Sequence, residues 1–180
     1  MEIEEKKIKG IFEIFPKVFE DNRGFFLETY NEKRYIQFLN NGSFVQDNFS
    51  SSNKGVLRGL HFQTPPNSQG KLVQVIAGSV LDVVLDLRKN STTYGQHLKV
   101  ILSAQKRNQL WIPEGFAHGF LALEDNTIFS YKCTNYYNPQ SEETILWNDR
   151  NLNIDWQIKN PIISPKDKEG VLFEDFYSPF

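Results

Sequence analysis

Leu81-Asp82-Val83-Val84-Leu85-Asp86-Leu87 is the stretch from which the fold class follows. Its odd positions are all apolar, and its even positions include Asp82 and Asp86. Successive strand side chains point to opposite faces, so this spacing predicts a strand with one buried and one polar face. Upstream, Lys71-Leu72-Val73-Gln74-Val75-Ile76 is rich in β-branched residues and reads as a more deeply buried strand. Downstream, Phe129-Ser130-Tyr131-Lys132-Cys133-Thr134 alternates again. Between such runs lie turn formers: Asp21-Asn22-Arg23-Gly24, Asn40-Asn41-Gly42, Asn53-Lys54-Gly55, Pro65-Pro66-Asn67, Ala77-Gly78, Lys89-Asn90, Lys106-Arg107-Asn108 and Asp125-Asn126. They recur at roughly ten-residue spacing, the punctuation of an all-β sandwich or barrel. Helix is scarce. Asn31 is placed to cap a helix from Glu32 to Asn40, with Tyr35, Phe38 and Leu39 on one face and Gly42 beyond its end. Ser164-Pro165-Lys166-Asp167 opens a second, short helix with proline at its first position.

Of the 180 residues, 39% are apolar, 23% charged and 14% aromatic. That composition excludes a disordered chain and predicts one globular domain over residues 1–180 with a sizeable core. No apolar run approaches the length of a membrane span; the longest, Phe116 to Leu123, is interrupted by His118. The charged start MEIEEKKIKG lacks the apolar segment of a secretory signal. Cys133 is the single cysteine, so neither an intrachain disulfide nor a cysteine-based zinc site is expected, and a reducing cytoplasm is the default location. A net charge of −2 supplies no general attraction for nucleic acid.

The histidines are His61, His97 and His118. Small β-barrels that bind metal gather two or three histidines and a carboxylate on neighbouring strands. Arg58-Gly59-Leu60-His61-Phe62-Gln63 has one histidine where a paired H-x-H would be required, and His118 stands alone in its own run. A metal site would need His61, His118 and a remote carboxylate. Taken alone, His61 reads as a half-buried strand histidine with a satisfied hydrogen bond. Its neighbours point elsewhere: Arg58 and Lys71 flank it, and Gln46, Asn48 and Gln63 add polar groups on adjacent strand-like segments. Together they suggest a polar-lined hollow at a barrel mouth. Arg58 and His61 fall on opposite faces of a regular strand, so a bulge at Gly59 is required to bring them together. Tyr131 reads either as a site residue or as a core aromatic with its hydroxyl bonded. Asp167, three residues after Ser164, either caps a helix or serves the site. Arg23 is equally compatible with a solvated turn.

Gly55-Val56-Leu57-Arg58-Gly59-Leu60-His61-Phe62-Gln63 resembles the signature of the dTDP-4-dehydrorhamnose 3,5-epimerases. So do Phe44-Val45-Gln46-Asp47-Asn48, Gln69-Gly70-Lys71-Leu72-Val73, Asp86-Leu87-Arg88 and Pro113-Glu114-Gly115-Phe116-Ala117-His118-Gly119-Phe120. Tyr131-Lys132-Cys133-Thr134, Tyr136-Tyr137, Trp147-Asn148-Asp149, Ile154-Asp155-Trp156 and Ser164-Pro165-Lys166-Asp167 follow in the same order and spacing. Phe49 departs from the pattern, standing where a polar residue is common.

The resemblance implies a cupin-type jelly roll with short peripheral helices, a homodimer, and a reaction without metal or organic cofactor. The implied substrate is a dTDP-4-keto-6-deoxy sugar, inverted at C3 and C5 on the way to dTDP-L-rhamnose. By the same resemblance His61 is the base, Asp167 orients it, Lys71 stabilises the enolate and Tyr131 returns a proton. Arg58 and Arg23 suit the diphosphate, and Tyr137 stacks on thymine. Arg23 and Glu28 reach the neighbouring subunit's site. Gln46, Asp47, Asn48, His118, Lys166 and Glu142, or Glu143 in its place, complete the substrate contacts. The competing readings are a C3-only or C5-only epimerase on another nucleotide sugar, a non-catalytic sugar-nucleotide-binding cupin, and a metal-dependent oxygenase.

Overall fold

The computed structural model describes residues 1–37 and 43–180. The chain begins with β1 (Glu2–Glu5), β2 (Phe12–Phe15) and a hairpin of β3 (Val18–Asp21) and β4 (Gly24–Leu27), followed by α1 (Glu32–Tyr35). Eight strands follow, all but the four-residue β10 longer than the first four: β5 (Gln46–Ser52), β6 (Val56–Gln63), β7 (Lys71–Ala77), β8 (Ser79–Asp86), β9 (His97–Ser103), β10 (Gln109–Ile112), β11 (Phe116–Ala122) and β12 (Thr127–Cys133). The short β13 (Glu142–Thr144) and β14 (Ile162–Ile163) and helix α2 (Pro165–Lys168) come last, before a 3-10 turn at Phe173–Asp175. One sheet runs β1-β2-β10-β7-β12-β5 and the other β13-β6-β11-β8-β9, with β14 added parallel to β6. Two facing antiparallel sheets of this order make a sandwich, as the turn spacing predicts, in the cupin-type jelly-roll form that the resemblance implies. Among the described residues no helix is long and apolar enough to cross a membrane.

The core has three clusters, the smallest of which packs Ile14, Tyr35, Leu72 and Trp111 on the outer face of the first sheet. Between the sheets, Val73, Val75, Leu110, Ile112 and Phe129 meet Val80, Val84, Leu102, Phe116 and Phe120. On the far side of the second sheet, Leu57, Leu60, Leu81, Val83, Leu85 and Leu121 are covered by Ile145, Leu152, Trp156 and Phe176 from the C-terminal segment. This corrects the reading of β8. The odd positions are buried as expected, but beneath the C-terminal segment. The even positions point into the sandwich, so Asp82 and Asp86 are completely buried, not solvated. Asp86 accepts from the Arg88 guanidinium (2.9 and 2.7 Å), Ser91 Oγ (2.7 Å) and Thr93 Oγ1 (2.7 Å), which tie down the loop after the strand. In β7, Leu72, Val73 and Val75 are buried but Ile76 is exposed, because the first sheet's outer face lacks a full cover there.

The helix expectations are met in part. Asn31 sits at the N-cap of α1 without a capping side-chain bond; its Nδ2 donates to Glu28 Oε2 instead (3.1 Å). The helix ends at Tyr35, and Phe38, Leu39, Asn40 and Gly42 of the expected extension lie outside the described residues. Helix α2 begins after Ser164 with Pro165 at its first turn, as read.

Candidate active site

The site is built where β6 and β11 run side by side beneath the mouth of the sandwich. Their register slips between His118 and Phe120, opposite Gly59. Gly59 has φ +132°, a conformation open only to glycine, and a Cβ there would lie 2.5 Å from Gly119 Cα. The irregularity required by the sequence is therefore present. It puts Arg58 and His61 on the same hollow, while Leu57, Leu60 and Phe62 pack on the opposite face.

That hollow, of about 200 Å³, is lined by Ser50, Arg58, His61, Lys71, His118, Phe120, Phe129 and Tyr131. A second, adjoining hollow of about 100 Å³ shares His61, Lys71 and Tyr131 and adds Gln46, Asn48, Tyr137 and Glu142. The parity of each strand explains the set. Lys71 lies on the inner face of β7 with Val73 and Val75. Tyr131 lies on the inner face of β12 with Phe129 and Cys133, and Gln46, Asn48 and Ser50 alternate along β5.

His61 Nε2 lies 2.6 Å from Asp167 Oδ1. The other carboxylate oxygen accepts from Gly59 N–H (3.2 Å), and the Asp167 backbone N–H donates to Ser164 Oγ (3.1 Å). Ser164, and not Asp167, is thus the cap: the Asp167 amide donates to it, while the Asp167 carboxylate bonds His61 and Gly59. Burial pushes this carboxyl up, but the bonds from His61, Gly59 and the Ser164 cap outweigh it and leave Asp167 below its ordinary value. Burial pushes the Lys71 ammonium down, opposed by Cys133, Glu142 and Asp82. Burial, Cys133 and Glu142 raise the Tyr131 phenol, with Arg58 opposing, so it stays protonated across the neutral range.

Neither the Lys71 ammonium nor the Tyr131 hydroxyl has a hydrogen-bond partner among the described residues, although each lines the hollow. The alternative that Tyr131 is a core aromatic with a satisfied hydroxyl does not hold. Arg58 donates to Ser52 Oγ (3.2 Å) and Ser51 O (3.4 Å), which tie its guanidinium to β5 at the wall of the hollow. At the rim, Glu142 accepts from Tyr137 Oη (2.6 Å) and pairs with Lys166, while Gln46 Oε1 holds Tyr137 N–H (2.8 Å). Glu142 lines the adjoining hollow, whereas Glu143 is exposed. Gln63 serves mainly to tie loops, accepting from Asn138 N–H (2.7 Å) and donating to Tyr136 O (3.1 Å).

Three expected site residues are not brought to the hollow within the chain. Asp47 lies on the outer face of β5, one residue out of phase with Gln46 and Asn48, and pairs there with Lys132 (2.9 Å). Arg23 sits at the tip of the β3–β4 hairpin, 86% exposed, paired with Asp21 at 2.5 Å. Glu28 pairs with Arg34 (3.0 Å). Phe49 is also on the outer face of β5, away from the pocket rim. Ser50, Phe120 and Phe129 were not read as lining residues. Stepping by two from Asn48, His118 and Tyr131 reaches all three, so strand parity was a sufficient signal. His118 is paired with Asp82, and among the described residues no three His, Cys, Asp or Glu side chains gather as a metal-ligand group.

The jelly roll is shared with the cupin-type sugar-nucleotide epimerases, as solved structures of that class show. The model of the dTDP-4-dehydrorhamnose 3,5-epimerase family matches residues 5–175. The dTDP-4-dehydrorhamnose 3,5-epimerase of Shigella flexneri is 48% identical over 176 residues, covering 97% of each chain. The crystal structure of the Legionella pneumophila dTDP-6-deoxy-D-glucose-3,5-epimerase in complex with dTDP-4-keto-L-rhamnose superposes with a TM-score of 0.93 at 48% identity, covering 98% of this chain and 94% of that one. A 3'-monoepimerase from Streptomyces bikiniensis, in complex with dTDP-quinovose, superposes with a TM-score of 0.89 at 28% identity, covering 94% and 87%. The chain belongs to the dTDP-4-dehydrorhamnose 3,5-epimerase family.

Proposed function

We propose that this protein epimerises dTDP-4-dehydro-6-deoxy-D-glucose at C3 and C5 to dTDP-4-dehydro-L-rhamnose, using its own side chains as acid and base. The observation that carries this reading is the convergence of His61, held by Asp167, with the unpartnered Lys71 and Tyr131 on one hollow. Both inverted carbons neighbour the C4 ketone, so each C–H is acidified by delocalisation into an enolate. A carboxylate can only accept, so the His61 nitrogen facing Asp167 carries the proton and the other ring nitrogen holds the lone pair that takes the substrate hydrogen. Lys71 supplies positive charge for the developing enolate oxygen, where a preorganised cation in a water-poor site acts strongly. The Tyr131 phenol returns a proton from the other ring face.

Arg58 is placed for the diphosphate, which a guanidinium meets in a fork, and Tyr137 for the base. Arg23 and Glu28 are assigned to the partner subunit's site in a homodimer. Supporting this, the β3–β4 hairpin exposes Phe19, Phe25 and Phe26, at 52%, 58% and 68%, which a second copy would cover. The test is solvent-deuterium incorporation from D₂O into dTDP-4-keto-6-deoxyglucose, with and without a chelator. Label at both C3 and C5 in both arms is expected. Label at one carbon supports a monoepimerase, no label a binding protein, and chelator-sensitive activity a metal enzyme.

A further inference from the structure

Asp82 is completely buried on the inner face of β8, and apart from its charge near Lys71 the reaction just described makes no use of it. Its Oδ2 lies 2.8 Å from His118 Nε2, while its Oδ1 is buried without a partner. A buried carboxylate with one oxygen unpaired is costly, and Asp86, four residues along the same face, shows full satisfaction by neighbouring donors. Asp82 therefore stands out as a charge kept for what it does to its surroundings.

The strand registers show what that is. His118 pairs with Val84 on β8 and with His61 on β6, so Asp82 is its diagonal neighbour on the inner face. The carboxylate can only accept, so Nε2 carries the hydrogen. The remaining nitrogen, Nδ1, makes no hydrogen bond to the described residues and is not among the buried unpartnered atoms. It is the polar edge that His118 offers to the hollow. The ring is stacked on Phe129 with centroids 6.0 Å apart, which limits its rotation.

Resting on the epimerase reading, we propose that Asp82 is a positioning residue for substrate. It fixes the tautomer and pose of His118, so that Nδ1 meets the bound nucleotide sugar beside Arg58. His118 and Asp82 thereby form a second imidazole–carboxylate pair, on the strand next to the His61–Asp167 pair, that acts in binding and not in proton abstraction.

A double-mutant cycle tests this. Asp82→Asn is expected to raise KM about tenfold while kcat falls no more than about threefold, the pattern of lost binding and not of lost chemistry. His118→Ala should do the same, and the double variant should match His118→Ala alone, because Asp82 acts through the ring. An unchanged KM in folded Asp82→Asn, or losses that multiply, overturns the proposal. A second measurement needs no variant of Asp82. ¹⁵N NMR of the wild-type imidazoles should find His118 protonated at Nε2, with its Nδ1 resonance moved by dTDP-glucose. A proton on Nδ1 alone, or an Nδ1 resonance indifferent to dTDP-glucose, overturns it too. Absence of deuterium exchange in the wild type would sink the epimerase reading, and the NMR result would still decide the role of Asp82.

Discussion

At the residue scale, Asp167 is asked to do two things that pull on different atoms, and substitutions separate them. Removing only the carboxylate charge, as in Asp167→Asn, leaves the amide capped by Ser164 and takes away the anion that orients and stabilises the His61 imidazolium. The exchange rate is expected to fall by a factor of about 10²–10⁴ with the fold retained; collapse of the melting transition together with activity would instead give Asp167 a structural role. His61→Ala should abolish exchange at both carbons while dTDP-sugar still binds, and turnover near wild type would refute the base assignment. Asp167 also sets a pH dependence of stability. Its folded-state value lies below the ordinary 3.8, so its contribution is complete above that value and is lost as pH falls through the lower folded one. The melting-temperature gap between wild type and Asp167→Asn should hold steady near neutrality and shrink below about pH 4. A gap that does not change with pH would contradict the sign.

At the scale of elements, the slipped register of β6 on β11 decides the site. Had β6 been regular, Arg58 and His61 would face opposite sides of the sheet, and one of them would lie in the apolar layer under the C-terminal segment. Gly59 makes the slip possible through its positive φ and through the space it leaves for Gly119. Gly59→Ala is therefore expected to cost about 2–4 kcal/mol and to remove activity even in the fraction that folds, as read by denaturant melts and deuterium exchange together. Loss of stability with full specific activity would show that the slip does not place His61. Helix α2 makes the complementary contribution. Four residues would not hold a helix alone, so the Ser164 cap and the Asp167–His61 contact fix its position. Ser164→Ala should cost about 1 kcal/mol.

At the scale of the whole molecule, Arg23 lies at the tip of an exposed aromatic hairpin and Glu28 just after it, neither in the chain's own hollow. If they complete a partner's site, Arg23→Ala and His61→Ala variants, each inactive, should complement when mixed and refolded. One productive site then forms in each heterodimer, about a quarter of all sites in an equal mixture. No recovery in a verified heterodimer would show that Arg23 does not serve the partner's site.

The strand alternation and the turn spacing were enough to determine an all-β sandwich, because these are local properties that each segment carries with it, whereas His61, Lys71, Tyr131 and Asp167 were singled out together only by the family resemblance. The same period-two rule placed Gln46 and Asn48 on one face and should have placed Asp47 on the other. What alternation cannot say is what covers each face. Asp82 and Asp86 look solvated in a strand read by itself, and they are buried because a second sheet packs on their side while residues 145–180 close the opposite one. Nor could local sequence bring Asp167 to His61, 106 positions away, or Asp82 to His118 across a sheet. Those pairs exist because strand registers and the path of the C-terminal segment are collective outcomes of packing, which no single segment encodes.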